Sequence, residues 1–193
     1  IVASLLSALR ESYEYQRALA RTDGLTGVAN SRAFYERARL ELARSRRSRQ
    51  PLTLLHLDLD GFKHVNDRHG HAAGDRVLKE VARTLQATVR GTDLPARLGG
   101  DEFAVLLPET APGPAQQAAR KVQDALRDSM NEAGYEVTCS IGLVTCLDPP
   151  ADIDELLRRA DALMYEAKDT GKDRITADVL AARLVSVHEH GRI

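Results

Sequence analysis

Two groups of acidic residues stand out by type and position. In Arg97-Leu98-Gly99-Gly100-Asp101-Glu102-Phe103, two glycines sit where a chain reverses, two carboxylates follow at once, and an apolar run from Ala104 to Leu107 leads away. A Gly-Gly pair between apolar runs is a hairpin signal, because glycine accepts positive φ and lets backbone approach a bulky anion. Asp101 and Glu102 then project from the hairpin tip, where on their own they read as ordinary solvated acids. Leu52 to Asp60 is different. It is apolar on both parities for most of its length, as a strand buried on both faces is, and it ends in Asp58 and Asp60. Carboxylates at the end of a buried strand are costly unless a metal or a basic partner meets them.

The elements that must position these acids follow from periodicity. Val2, Leu6, Leu9, Tyr13, Gln16 and Ala20 alternate four and three apart, the seam of a coiled-coil-like linker helix over residues 1–20, with a single amphipathic helix on its own domain as the alternative. Turn formers over residues 21–30 mark the domain boundary. A helix from Arg32 to about Arg47 closes in Arg44, Arg46, Arg47 and Arg49, where cations suit the negative end of the macrodipole. After the Leu52–Asp60 strand, Gly61 to Gly70 is a short helical or looped segment bearing Phe62, Lys63, Asn66 and Asp67. Val77, Leu78, Val81 and Leu85 then repeat at helical spacing after Gly74, which puts Asp75 in a first turn. Asp93 to Leu107 supplies the hairpin, Pro112 and Pro114 open a helix to about Asn131, and Tyr135 to Leu147 is a further strand. Asp152 caps a helix with Ile153, Leu156, Leu157, Ala160, Leu163 and Met164 as its apolar stripe, a short strand follows Lys172, and residues after about Thr176 read as another helix. The order βαββαβ predicts an α+β fold of ferredoxin-like type, a central, mostly antiparallel sheet flanked by helices. The predicted organisation is a linker helix over 1–20, one domain over 21–176 and a helical extension over 177–193.

Bulk properties narrow the function. With 193 residues, a net charge of -1 and 28% charged residues, no whole-chain field recruits nucleic acid or anionic membrane, so an anionic ligand has to be held by local groups. No apolar run reaches the roughly 20 residues of a membrane span. Cys139 and Cys146 lie an odd number of positions apart in a strand-like run, so they face opposite sides and do not pair, which fits a reducing, cytoplasmic setting. The chain begins without Met, which fits a fragment of a longer protein. His69 and His71 lack the Cys or His cluster that a zinc site needs.

Five motifs in order carry a resemblance. Asp23-Gly24-Leu25-Thr26, Asp58-Leu59-Asp60-Gly61-Phe62-Lys63-His64-Val65-Asn66-Asp67, Gly70-His71-Ala72-Ala73-Gly74-Asp75, Gly99-Gly100-Asp101-Glu102-Phe103 and Ala167-Lys168-Asp169-Thr170-Gly171-Lys172 resemble the motifs of the GGDEF family of diguanylate cyclases. The pentapeptide alone has chance odds on the order of one in a million per start position at average residue usage. The resemblance covers about residues 21–176. It implies condensation of two GTP into cyclic di-GMP with release of two pyrophosphates, on a palm-like sheet similar to those of nucleotidyl cyclases, by a homodimer of half-sites gathered through the N-terminal helix.

It also implies roles. Asp58, Asp101 and the backbone carbonyl of Leu59 would hold Mg²⁺ or Mn²⁺, which hard oxygen ligands suit. Asp101, with Glu102, would assist deprotonation of the attacking 3′-hydroxyl. Asn66 and Asp75 occupy the guanine-reading positions beside Phe62. Gly99 and Gly100 would let backbone meet phosphate, and Lys63, Lys168 and Lys172 would neutralise the triphosphate. Lys172 stands where the family often has Arg, so a point charge replaces a bidentate fork. Arg90-Gly91-Thr92-Asp93 is an R-x-x-D at the place of the family's inhibitory product site, where Arg90 and Asp93 would bind cyclic di-GMP. The alternative is a non-catalytic receptor for cyclic di-GMP or GTP. Such a protein is expected to lose an acid or a glycine of the pentapeptide, and none is lost here.

Overall fold

The computed structural model describes residues 21–150 and 152–181; the expected linker helix over 1–20 and most of the expected extension lie outside them. In chain order the elements are β1 (Ala29–Asn30), α1 (Ser31–Ser48), β2 (Leu52–Asp60), α2 (Phe62–His69), α3 (His71–Thr88), β3 (Leu94–Gly99), β4 (Glu102–Pro108), α4 (Pro112–Glu132), β5 (Thr138–Cys146), α5 (Ile153–Asp169) and β6 (Ile175–Leu180). They form one sheet in the order β1-β3-β4-β2-β5-β6. Its inner pairs are antiparallel, and the parallel pairs, β1 with β3 and β5 with β6, lie at the edges. The run β2, α2 to α3, β3, β4, α4, β5, with neighbours β5-β2-β4-β3, is the expected βαββαβ arrangement.

Every residue of β2 is buried. Leu55, Leu57 and Leu59 join one core with α3 and α4, while Leu52 and Leu54 join the other with α1 and α5. A fully buried leucine contributes roughly 1.5–3 kcal/mol, so β2 is anchored from both faces. Cys139 belongs to the first core and Cys146 to the second, opposite faces as their spacing requires. Burial pushes both thiols up, Cys146 to about 12, so both stay protonated and unreactive.

Three local expectations are corrected. Helix α3 begins at His71 after a Gly70 with φ 79°, so Asp75 lies beyond the first turn, which carries no acid. Strand β5 begins at Thr138 rather than Tyr135, because the Gly134 and Tyr135 amides close α4 by donating to the carbonyls of Asn131 and Met130. Residues 177–180, expected to be helical, continue β6, pairing in parallel with Leu143 to Cys146. In that stretch Asp178 and Leu180 are half-buried while Ala177 and Val179 are exposed, so pairing with β5 rather than an apolar period makes it a strand.

Helix α5 rests directly on β5 at Gly142. A Cβ there would stand 2.0 Å from the Ala160 carbonyl oxygen and 2.5 Å from the Met164 amide nitrogen, backbone atoms with no room to retreat. Gly142→Ala should lower stability by roughly 1–3 kcal/mol, the usual overpacking cost. By contrast Gly113→Ala, where a Cβ meets nothing within 4 Å in α4, should be neutral or slightly stabilising in urea titrations. Equal midpoints for the two variants would refute the close approach.

Candidate functional site

Asp58 is the last residue of β2 paired with β4, with Glu102 opposite, and it faces Ser140 on β5, where pairing runs on to Asp60. It is 6% exposed, and its Oδ1 meets the Lys168 ammonium at 2.6 Å, an ion pair rather than an aligned hydrogen bond. Burial raises the Asp58 carboxyl above its ordinary value, and Asp101 and Glu102 push the same way, against the lysine. Three acids therefore share one end of the sheet with one ammonium among them. That excess of negative charge is what a divalent cation neutralises. Among the described residues no three Asp, Glu, His or Cys side chains are grouped to hold a metal alone. Asp58 and Asp101, close enough to repel one another, and the Leu59 backbone, one residue past the last β2–β4 pair, offer hard oxygens of the kind Mg²⁺ takes alongside water or phosphate oxygens.

Asp60 meets neutral donors instead of the cation that the sequence called for. Its carboxylate accepts from the hydroxyls of Thr138 (3.1 Å) and Ser140 (2.9 Å) and from the Asp173 amide (3.0 Å). His56, buried two residues before Asp58, was missed by motif and spacing, since a histidine in a leucine-rich strand reads as core. Its Nδ1 lies 3.6 Å from Asp161 on α5 and its Nε2 3.9 Å from Glu102, and neither nitrogen is hydrogen-bonded. Burial lowers its pKa and outweighs the pull of the two acids, so a neutral imidazole separates them.

The hairpin tip is fixed from below by Arg97, another residue outside the motifs. Its Nε and NH2 groups donate to the Gly100 carbonyl at 2.9 and 2.7 Å, and NH1 donates to Asp23 Oδ1 at 3.2 Å. Gly100 carries φ 47°, and the pairing register shifts between Arg97 and Gly99, a bulge that turns the tip out of the ladder. Asp23 also accepts from the Thr26 amide (3.0 Å) and hydroxyl (2.6 Å). The first motif is thereby tied to the fourth.

Phe62 and Asn66 meet α3 at Gly74, and Asp75, the next residue in the chain, is exposed. A Cβ at Gly74 would lie 2.0 Å from Asn66 Oδ1 and 3.2 Å from Phe62 Cζ, so this glycine lets α3 press against both. Lys63 is exposed on α2 beside Phe62. Lys168 and Lys172 do not stand as a pair. Lys168 is on Asp58, whereas Lys172 follows α5 in a turn with φ 61°. Arg90 and Asp93 close a tight turn, the Arg90 amide donating to Asp93 Oδ2 at 2.9 Å. Both line a cavity of about 230 Å³ with Thr88, Gln117 and Lys121. That cavity lies between the end of α3 and α4, apart from the acids.

Carboxylates gathered at one end of a ferredoxin-like sheet, with a glycine turn and one lysine beside them, are an arrangement suited to the nucleotide-handling class. The family described as diguanylate cyclase, GGDEF domain, matches residues 20–174, and the chain belongs to that family. It is 39% identical over 175 residues to the diguanylate cyclase DgcP of Pseudomonas aeruginosa, covering 87% of this chain and 25% of DgcP. To the response regulator PleD of Caulobacter vibrioides it is 35% identical over 172 residues, covering 86% of this chain and 38% of PleD. The chain thus spans less than half the length of both relatives. Among solved structures, the diguanylate cyclase SiaD of Pseudomonas aeruginosa, in complex with its activator SiaC, superposes with a TM-score of 0.77 at 36% identity, covering 92% of this chain and 73% of that one. The coiled coil and GGDEF domain of DgcB from Caulobacter crescentus, in complex with c-di-GMP, gives a TM-score of 0.75 at 28% identity, with 92% and 95% covered. No helix among the described residues is long and apolar enough to cross a membrane.

The Asp23 network has a pH signature. Burial acts to raise the Asp23 carboxyl, but donation from Thr26 and Arg97 outweighs it and holds the group below its ordinary value of 3.8. A lowered acid contributes stability that is complete above the unfolded value and lost as pH falls through the folded one. The stability gap between the wild-type chain and Asp23→Asn should be open at pH 6 and close below pH 3.8, followed by urea unfolding across that range. A gap independent of pH would refute the network.

Proposed function

We propose that this chain is an active diguanylate cyclase that condenses two GTP into cyclic di-GMP and releases two pyrophosphates. The observation that carries the reading is the complete Gly99–Phe103 turn, clamped by Arg97 beside Asp58. Each protomer holds one GTP, and two protomers face each other so that each 3′-hydroxyl oxygen attacks the α-phosphorus of the opposite nucleotide. The bond to pyrophosphate breaks as the new ester forms, and Asp101, with Glu102, takes the hydroxyl proton. Asp58, Asp101 and the Leu59 carbonyl are the residues for Mg²⁺ or Mn²⁺, in keeping with the general divalent-metal dependence of such cyclases. When bound, the cation supplies Lewis acidity at the phosphate oxygens.

Phe62, Asn66 and Asp75 receive guanine, whose N1 and N2 donors suit a carboxylate and which adenine lacks. Gly99 and Gly100 present backbone to phosphate without a Cβ in the way. Lys63 and Lys172 face the triphosphate, and Lys168, which meets Asp58 at the same end of the sheet, would join them in neutralising it. Product returns to the cavity at Arg90 and Asp93 and restrains turnover. The heptads of residues 1–20 bring the protomers together, an upstream sensory or receiver domain governs how they meet, and cytoplasmic GTP is the substrate.

Incubation of the chain with GTP and Mg²⁺ should yield cyclic di-GMP at a rate per protomer that rises with protein concentration. No product at any concentration would sink the proposal. Asp101→Ala should lower the rate by at least about 100-fold, the scale of losing a group that acts in the transition state. Arg90→Ala should keep the initial rate and remove the slowing that accompanies product accumulation. Progress curves that decay as in wild type would reject the inhibitory site.

A further inference from the structure

The backbone after α5 is unusual at three successive positions. Gly171, Lys172 and Asp173 carry φ of 128°, 61° and 45°. For residues with a Cβ this region costs roughly 1–2 kcal/mol each, so the turn persists only where its surroundings over-determine it. Those surroundings are specific. The Lys172 amide donates back to the Ala167 carbonyl at 3.0 Å, and the Asp173 amide donates to Asp60 Oδ2 at 3.0 Å. The Asp173 carboxylate is gripped from α4, by Arg127 NH2 at 2.9 and 3.0 Å and by Gln123 Nε2 at 3.2 Å. Helix α4 packs on the sheet face opposite α5, so this grip reaches round the end of β5.

Magnitudes separate two purposes for the grip. The Arg127 and Asp173 side chains are 40% and 34% exposed, and an ion pair that open is worth about 0–1 kcal/mol to global stability. That does not offset two left-handed residues. What the grip does do is fix one conformation of a turn whose middle residue is Lys172. We infer that Arg127, assisted by Gln123, is a positioning residue that holds the 171–173 turn so that Lys172 meets the phosphates of GTP. The inference rests on the phosphate role proposed for Lys172. It gives α4 a direct hold on the nucleotide site from across the sheet.

The test uses the full chain with Mg²⁺ and two readouts, steady-state cyclic di-GMP formation and calorimetric binding of 3′-deoxy-GTP, which binds but cannot condense. Arg127→Met should raise KM, and weaken 3′-deoxy-GTP binding, by about tenfold, while kcat changes by less than about twofold. On a Lys172→Met background the same substitution should add nothing, because the lysine it positions is gone. Arg127→Lys, which keeps one charged donor, should recover part of the loss. Equal losses with and without Lys172, or a change confined to kcat or melting temperature, would overturn the inference. A wild-type chain that binds 3′-deoxy-GTP but makes no product would defeat the cyclase reading alone and leave the binding comparison decisive for Arg127.

Discussion

A carboxylate at the end of a strand buried on both faces has to find compensation, and the rest of this molecule is arranged around how it does so. Strand β2 ends in two such groups, and the compensation differs. Asp60 is surrounded by hydroxyls and an amide that match its lone pairs, so it acts as a structural knot joining β2, β5 and the turn after α5. Asp58 meets a single flexible ammonium and two further acids. A knot of neutral donors is permanent, whereas a charge balanced by one lysine can be rebalanced by an arriving cation. The same strand thus carries one fully satisfied acid and one only partly compensated, two residues apart.

The hairpin beside it solves a different problem. Two glycines at a tip give the chain freedom that a site cannot tolerate, and Arg97 removes that freedom by holding the Gly100 carbonyl with two donors while its third reaches Asp23. At Gly100 glycine serves the positive φ of the turn rather than mobility. The entry turn at Asp23 and the hairpin are thereby joined through one guanidinium.

Much of this was legible in the chain itself. Apolar residues on both parities placed β2 at the centre, odd spacing separated the cysteines, and acids after Gly-Gly marked the hairpin. Local signals failed where a contact between distant segments decided the outcome. Gly74 looked like the start of a helix, yet it lies inside α3 because Asn66 and Phe62 need the space its missing side chain leaves. Residues 177–180 carry no strong period, and the open edge of β5 made them a strand. Arg97, His56 and Arg127 are ordinary residues by type. Each also has a partner dozens of positions away, Asp23, Asp161 and Asp173 respectively, which no window of sequence contains.

The contact between α5 and β5 at Gly142 has one more implication. Most helices ride on a cushion of side chains and can slide by fractions of an ångström as rotamers adjust. Here backbone lies against backbone, so α5 has the tolerance of a machined seat rather than of a cushion. Both Asp161, facing His56, and Lys168, on Asp58, project from that helix. The charge balance at the acidic end of the sheet is therefore set by main-chain fit, and it would survive repacking of the surrounding core better than it would survive one added methyl group.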